Sequence, residues 1–280
     1  MSRRLTFLLR NALQALGLEV RRTRRKQTRH IYSNFNEQTI IKGYLTSLGM
    51  VERGCCVDIA AGDGMSMSNT YSLYQEGWRG LAVELDEQRF QFLAENYADL
   101  EKVNLARCKV TPKNVLSLLA ANEIPESFDF LNLDMDGYDY YVLKEILTRY
   151  RPKLICAEIN EKIPPPIKFT VQWDPAYVWP GNNFYGQSIS QLADLAMEHD
   201  YSLAELHYNN AFLVPSELNP ATSLSAEEAY QAGYRDKADR LERFPWNKEI
   251  DAALYMQPDK ALIFIKNYFR KYKGMFLASI

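Results

Sequence analysis

Histidine is scarce in this chain, three in 280 residues, and no Ser/His/Asp or Cys/His arrangement for covalent catalysis stands out around His30, His199 or His207. Cysteine is equally sparse. Cys55, Cys56, Cys108 and Cys156 show no C-x-x-C spacing and no histidine at metal distance, which excludes a zinc or disulfide framework. They read as buried, reduced thiols of a cytoplasmic protein. There is no internal repeat or low-complexity tract, and no aromatic-basic repeat of the kind that binds nucleic acid. Net charge is only −2, so neither sign dominates, while 47% hydrophobic and 24% charged residues suffice for one large core with additions.

The charge is unevenly placed. Residues 1–30 hold nine Lys/Arg and one acid, which leaves the remainder acidic. There Leu5, Leu8, Leu9, Ala12, Leu13 and Leu16 recur at helical spacing before Gly17, followed by a basic run from Arg21 to Lys26. The stripe is too short to span a bilayer and lacks the apolar core and cleavage site of a secretory signal. It is expected to pack on the body or on a second subunit of a homodimer. The alternative is peripheral contact with a membrane surface or a partner.

Residues 57–64 read Val-Asp-Ile-Ala-Ala-Gly-Asp-Gly, a β-branched strand entering a turn in which Gly62 and Gly64 let the backbone bend sharply and approach a ligand. A helix from about Ser66 is expected to present free N–H groups there. About twenty residues on, Gly80-Leu-Ala-Val-Glu84 ends a second strand in a carboxylate able to accept hydrogen bonds from vicinal ribose hydroxyls. The ligand should carry an adenosine. A dinucleotide fingerprint requires a third glycine, and Met67 follows instead. S-adenosylmethionine has no pyrophosphate to cradle, so the methyl donor is preferred to a nicotinamide dinucleotide.

Strand-like and helix-like segments alternate from about residue 35 to 215, predicting an α/β fold with a doubly wound, seven-stranded, mostly parallel sheet. Strands are expected at Cys55–Ala60, Leu81–Leu85, Val103–Cys108, Phe128–Asp134 and Leu154–Ile159. Tyr201–His207 and Ala211–Val214 read as an antiparallel terminal hairpin, the closure that distinguishes a methyltransferase sheet from a dinucleotide sheet. The chain then divides into an N-terminal extension (1–34), a main domain (35–220) and a C-terminal helical extension (221–280). A proline- and aromatic-rich insertion at 160–187 reads as a substrate-facing lid, with Trp173, Tyr177, Trp179, Phe184 and Tyr185 as an acceptor wall.

Two strands end in acids. Phe128 to Asp136 and Lys153 to Asn160 should bring Asp134, Asp136, Glu158 and Asn160 together at the switch point of the sheet. For methyl transfer to a hydroxyl, Asp134 or Asp136 can act as base, or a bound divalent ion such as Mg²⁺ can lower the hydroxyl pKa. Both remain open, as does a basic role for His207. Asp139 reads as a helix cap.

The motifs Val57 to Gly64, Gly77 to Glu84, Phe128 to Gly137 and Arg151 to Asn160 resemble those of FkbM-type S-adenosylmethionine-dependent methyltransferases over roughly residues 50–215. The resemblance implies O-methylation of a sugar, polyketide or other small-molecule acceptor. It implies Asp58, Ala60, Gly62 and Gly64 at the methionine end of the cofactor and Asp134 beside it, Glu84 and Leu85 at the ribose, and Lys109 and Val110 near the adenine. Metal-dependent O-methyltransferases on this fold carry an acid after strand four and an acid-amide pair after strand five, to which Asp134, Glu158 and Asn160 are similar. A dehydrogenase, or a nonenzymatic scaffold on the same fold, is the alternative reading.

Overall fold

Strands buried on both faces are short apolar runs, and four of them form the centre of the sheet, β1 (Cys55–Ile59), β2 (Arg79–Glu84), β4 (Phe130–Leu133) and β5 (Leu154–Glu158), with the partly exposed β3 (Val103–Arg107) at one edge. The computed structural model describes residues 30–50, 53–219 and 221–280, and the fold lies within Tyr32–Ile280. The expected amphipathic stripe and basic run, Leu5 to Lys26, lie outside the described residues.

Two further strands, β7 (Tyr201–His207) and β8 (Asn210–Pro215), complete a seven-stranded sheet of order β3-β2-β1-β4-β5-β8-β7. The first five strands run parallel and β8 is antiparallel to β5, so the expected doubly wound methyltransferase-type sheet with its terminal hairpin is the one that forms. The direction of winding reverses between β1 and β4, and ligand crevices open there beyond the strand ends.

Alternate strand residues face two cores. Val57, Ile59, Leu131, Leu133 and Ile155 pack under α4 (Val115–Ala121), α5 (Asp139–Leu147) and α6 (Ile189–Glu198). Cys56, Ala82, Phe130 and Cys156 pack under α1 (Glu37–Ser47), α2 (Tyr71–Gln75) and α3 (Glu87–Asn96). None of the described helices is long and apolar enough to cross a membrane.

The helix expected from Ser66 starts five residues late. Asp63 Oδ1 accepts the N–H groups of Met65 and Ser66 at 2.9 and 2.7 Å, Met67 takes a left-handed φ of 56°, and Ser68 Oγ accepts the N–H of Tyr71 at 3.0 Å. Side chains that bond their own backbone compete with the helix. The five-residue α2 therefore presents no helix terminus at the glycine turn.

The insertion is more built than a lid. Ile163, Ile167, Phe169 and Val171 are fully buried in the main core. Its strand β6 (Lys168–Val171) pairs antiparallel with β9 (Phe276–Ser279), so the C-terminal extension, expected to be helical, ends in a strand. Between them lie α7 (Ala226–Tyr230), α8 (Arg240–Arg243) and α9 (Pro258–Tyr268). A buried polar network joins these parts. Lys162 pairs with Glu161 at 3.0 Å with both side chains fully buried. Lys162 Nζ donates to Tyr185 Oη at 2.7 Å, Tyr185 donates to Glu161 Oε2 at 2.9 Å, and Asn247 Nδ2 donates to Glu161 Oε1 at 2.6 Å. Each charge thus meets a partner and a hydrogen bond, as burial requires.

Candidate functional site

The turn after β1 is held by its neighbours. Ala61 N–H bonds Val83 O at 2.9 Å, tying the turn to β2. Ala60 adopts a left-handed φ of 68°, and Gly62 and Gly64 have φ of 60° and 79°. The space where a Gly62 Cβ would stand is open, whereas a Cβ on Gly64 would overlap Leu93 and Tyr97 of the α3 region. The two glycines therefore differ: Gly62 leaves room for a ligand, and Gly64 lets the turn pack.

Glu84, 6% exposed at the end of β2, points its carboxylate at this turn. Oε2 accepts Gly62 N–H at 2.8 Å, and Oε1 accepts the N–H groups of Leu85 and Asp86, both at 2.7 Å. A carboxylate offers about four acceptor positions, so one stays open on Oε2. A two-hydroxyl clamp would require Gly62 N–H to yield its place. Leu85 beside it is an exposed apolar side chain, fitting a flat ligand face.

Other residues expected at the cofactor are used elsewhere. Asp58 is buried, accepting from Thr70 Oγ1 at 2.6 Å and Asn132 Nδ2 at 2.8 Å, and burial pushes its pKa up. It braces the turn from behind. Lys109 Nζ donates to the carbonyls of Pro175 and Tyr177 at 2.7 and 2.9 Å, pinning the insertion, and Val110 is core.

The acids converge as the topology demands. Asp134, Asp136 and Glu158 each place a carboxylate oxygen within 4.8 Å of the others. Asp134 follows β4 and Glu158 ends the adjacent β5. Asp136 has a left-handed φ of 52°, a conformation unfavourable for a non-glycine residue and found preferentially at functional sites. Asp139 fixes this bend: its oxygens accept the N–H groups of Met135 and Gly137 at 2.8 and 3.0 Å, so it braces the turn before α5 instead of capping the helix's own N–H groups as expected. Asn160 is fully buried just after β5. Its Nδ2 donates to the carbonyls of Asn183 and Tyr185 at 3.0 and 2.9 Å, so it anchors the insertion.

Burial and mutual repulsion hold these acids far from their solution behaviour. Asp134 is pushed up to about 6, burial being the main cause. Asp136 is pushed up to about 7 by burial and then by Asp134 and Asp139. Glu158 rises well above the usual carboxylate range through burial and Asp134, and shares a hydrogen bond with it. Among the described residues, no Lys or Arg forms an ion pair with any of the three. Oxygen donors without a resident cation suit a hard divalent ion.

Asp136 and Glu158 open onto a cavity of about 1170 Å³. Of the expected aromatic wall, Trp179 and Tyr185 line it. Phe184 is core, Tyr177 donates to the carbonyls of Asp136 and Phe184 at 3.1 and 3.2 Å, and Trp173 lies under Lys113, 5.0 Å from its ring centroid. These three pack and position. His207 Nε2 sits 2.7 Å from Phe35 O, and the ring neither lines the cavity nor joins the carboxylates.

Several site residues were invisible in sequence. Asn209 Nδ2 donates to Glu158 Oε1 at 2.8 Å, yet an asparagine in a hairpin turn is explained by turn chemistry alone. Trp246, Tyr268 and Tyr272, from the extension, complete the cavity wall. No local pattern separates them from packing aromatics.

No family model matches the chain, and no curated protein matches it. Among solved structures it is similar to an O-methyltransferase family protein from Burkholderia thailandensis, at 11% identity and TM-score 0.39, covering 64% of this chain and 55% of that one. It is also similar to magnesium protoporphyrin IX methyltransferase from Synechocystis PCC 6803 with bound SAH, at 12% identity and TM-score 0.40, covering 74% and 97%. A third is precorrin-6y C5,15-methyltransferase from Geobacter metallireducens GS-15, at 12% identity and TM-score 0.37, covering 63% and 86%. At such identities the likeness concerns the fold and assigns no activity.

Proposed function

We propose that this chain is an S-adenosylmethionine-dependent methyltransferase acting on a hydroxyl of a small-molecule acceptor. The observation that carries the reading is one juxtaposition at the reversal point of the sheet. A ligand-open glycine turn with an oriented Glu84 lies at the ends of β1 and β2, and three carboxylates, two of them lining a large cavity, lie at the ends of the adjoining β4 and β5.

The cofactor, when bound, supplies an electrophilic methyl group on a sulfonium. The chain supplies alignment and proton removal. Gly62 and Glu84 fit the donor through the open space and the one free acceptor position. Asp136, facing the cavity and pushed up to about 7, is matched to accepting a hydroxyl proton near neutrality. Asp134 and Glu158 share a hydrogen bond, and the charge of Asp134 adds to burial in raising the Asp136 pKa. The same three carboxylates fit Mg²⁺, and such an ion would lower the pKa of the acceptor hydroxyl.

Titration of the purified chain and its Glu84→Ala variant with S-adenosylhomocysteine, with and without Mg²⁺, tests the reading. Binding that the variant loses supports it. Equal binding by both proteins, or none by either, defeats it.

A further inference from the structure

We propose that the acceptor is an anionic polyol, its ring hydroxyls directed at Asp136 and Glu158 and its phosphate or carboxylate held by Arg270 and Lys271. The orientation rests on the methyltransferase reading of the same site, whereas the anion preference does not depend on it.

The cavity lining carries charge on both its buried and its exposed side. At its buried end stand the half-buried Asp136 and Glu158, which is 8% exposed. Arg270 and Lys271 line it from the exposed surface, as does Glu249, whose carboxylate accepts from Tyr268 Oη at 3.1 Å. Among the described residues, neither cation forms an ion pair, although Lys271 Nζ lies 4.8 Å from the Tyr272 ring centroid. The third cation of the lining, Arg243, is already committed: it bonds Asp239 at 2.6 Å and lies 5.0 Å from the ring centroids of Phe35 and Tyr208. An anion entering ring-last would be repelled by Asp136 and Glu158. One entering ring-first keeps its charge beside a guanidinium and an ammonium, both good partners for phosphate or carboxylate.

The two cations are not loose surface side chains on a mobile loop. They sit in a single 3₁₀ turn, Arg270–Tyr272, whose last residue is locked down. The Tyr272 ring stacks on buried Phe184 at 3.9 Å and 13°, and its Oη accepts from Asn182 Nδ2 at 2.7 Å. Tyr268 Oη accepts from Asn183 Nδ2 at 2.8 Å, fixing the preceding end of α9 to the same segment of the insertion. Both cations are therefore carried on backbone registered against the cavity.

Trp179 and Trp246, 41% and 54% exposed, also line the cavity. Indole faces left outside a core are suited to stacking on ring faces, including the C–H faces of sugars. The volume of about 1170 Å³ exceeds the ~300–1,000 Å³ of drug-sized sites. It admits a ring together with a charged substituent.

Calorimetric titration of the full chain with glucose 1-phosphate, glucuronate and methyl glucoside tests the proposal, alongside an Arg270→Ala/Lys271→Ala variant. The expected result is binding of one or both anionic probes at least ~10-fold tighter than the neutral one, weakened by ~0.15 M salt and lost in the variant. The phosphate and carboxylate arms then identify the anion. Equal binding of all three probes, absence of binding by any, or a preference that survives in the variant overturns the proposal. S-adenosylhomocysteine titrated into the same preparations separates the two readings. Retained cofactor binding without anion preference defeats the acceptor class alone, and the reverse defeats the methyltransferase reading alone.

Discussion

Glu84 Oε2 accepts the Gly62 N–H at 2.8 Å, so the end of one strand is hydrogen-bonded to the middle of the turn that follows its neighbour. With Leu85 and Asp86 on its other oxygen, this one carboxylate organises three backbone N–H groups and keeps a single acceptor position for a ligand.

Replacing Glu84 by Ala removes that position and leaves three N–H groups without their acceptor. Hydrogen bonds to charged groups contribute about 1.5–3 kcal/mol, so S-adenosylhomocysteine affinity should fall ~10- to 100-fold. Glu84→Gln should recover part of the loss. Calorimetry on the three proteins decides, and an unchanged affinity in the Ala variant would contradict the assignment of Glu84 to the ribose.

The two glycines of the turn should separate binding from stability. Gly62→Ala meets only left-handed strain and should cost about 1 kcal/mol of stability while obstructing the cofactor. Gly64→Ala adds overlap with Leu93 and Tyr97 and should cost roughly 2–4 kcal/mol in total. Urea unfolding midpoints of both variants provide the comparison. Equal destabilisation would show that the packing difference has no energetic consequence.

Removing the charge at Asp136 should be felt in turnover more than in folding. Asp136→Asn should lower turnover of a true acceptor by ~10²-fold or more, the usual contribution of a positioned base. Asp134→Asn should also lower it, by breaking the proton shared with Glu158. A radiolabelled methyl-transfer assay reads both. Full activity in both variants would remove the carboxylates from the chemistry.

Stability should fall as pH rises through neutrality. Asp134 and Asp136 titrate near 6 and 7 in the folded chain, above the 3.8 expected for aspartate, burial being the largest cause of each shift. The folded state therefore keeps protons that the unfolded chain has released, and the slope of stability against pH is negative in that window. Asp58, raised by burial, adds in the same direction. Thermal melts in chelator from about pH 5 to about pH 8 should show a decreasing Tm. A flat or rising profile would contradict the shifts.

Lys162→Met should destabilise the chain by about 3–5 kcal/mol, because it leaves the fully buried Glu161 carboxylate without its counter-ion. Denaturant titration measures this. A double replacement of Glu161 and Lys162 by apolar residues should recover much of the loss.

Most of the framework was legible because its signals are local. Strand β1 was expected at Cys55–Ala60 and forms at Cys55–Ile59; β5 was expected at Leu154–Ile159 and forms at Leu154–Glu158. A strand buried on both faces has to be a short apolar run ending in turn residues, and such runs are readable one at a time. The late start of α2 was not legible, since Asp63 and Ser68 compete for backbone N–H groups only once the chain has turned. Nor could Trp179 be told from Phe184 within the insertion. Neither lies in a periodic element, and only packing sends one to the cavity and the other to the core.

The sequence by itself determined the alternation of elements, the glycine turn, the acid at the end of β2 and the acids at the ends of β4 and β5. Each is written within a dozen residues and governed by backbone sterics and side-chain period. Tertiary structure decided that the Asp136 carboxylate turns in to join those of Asp134 and Glu158, and that the C-terminal extension closes the cavity. Those outcomes depend on contacts such as Asn247 to Glu161, 86 positions apart. Contacts of that kind are set by strand register, a left-handed bend at residue 136 and the burial of charge, which no local pattern encodes.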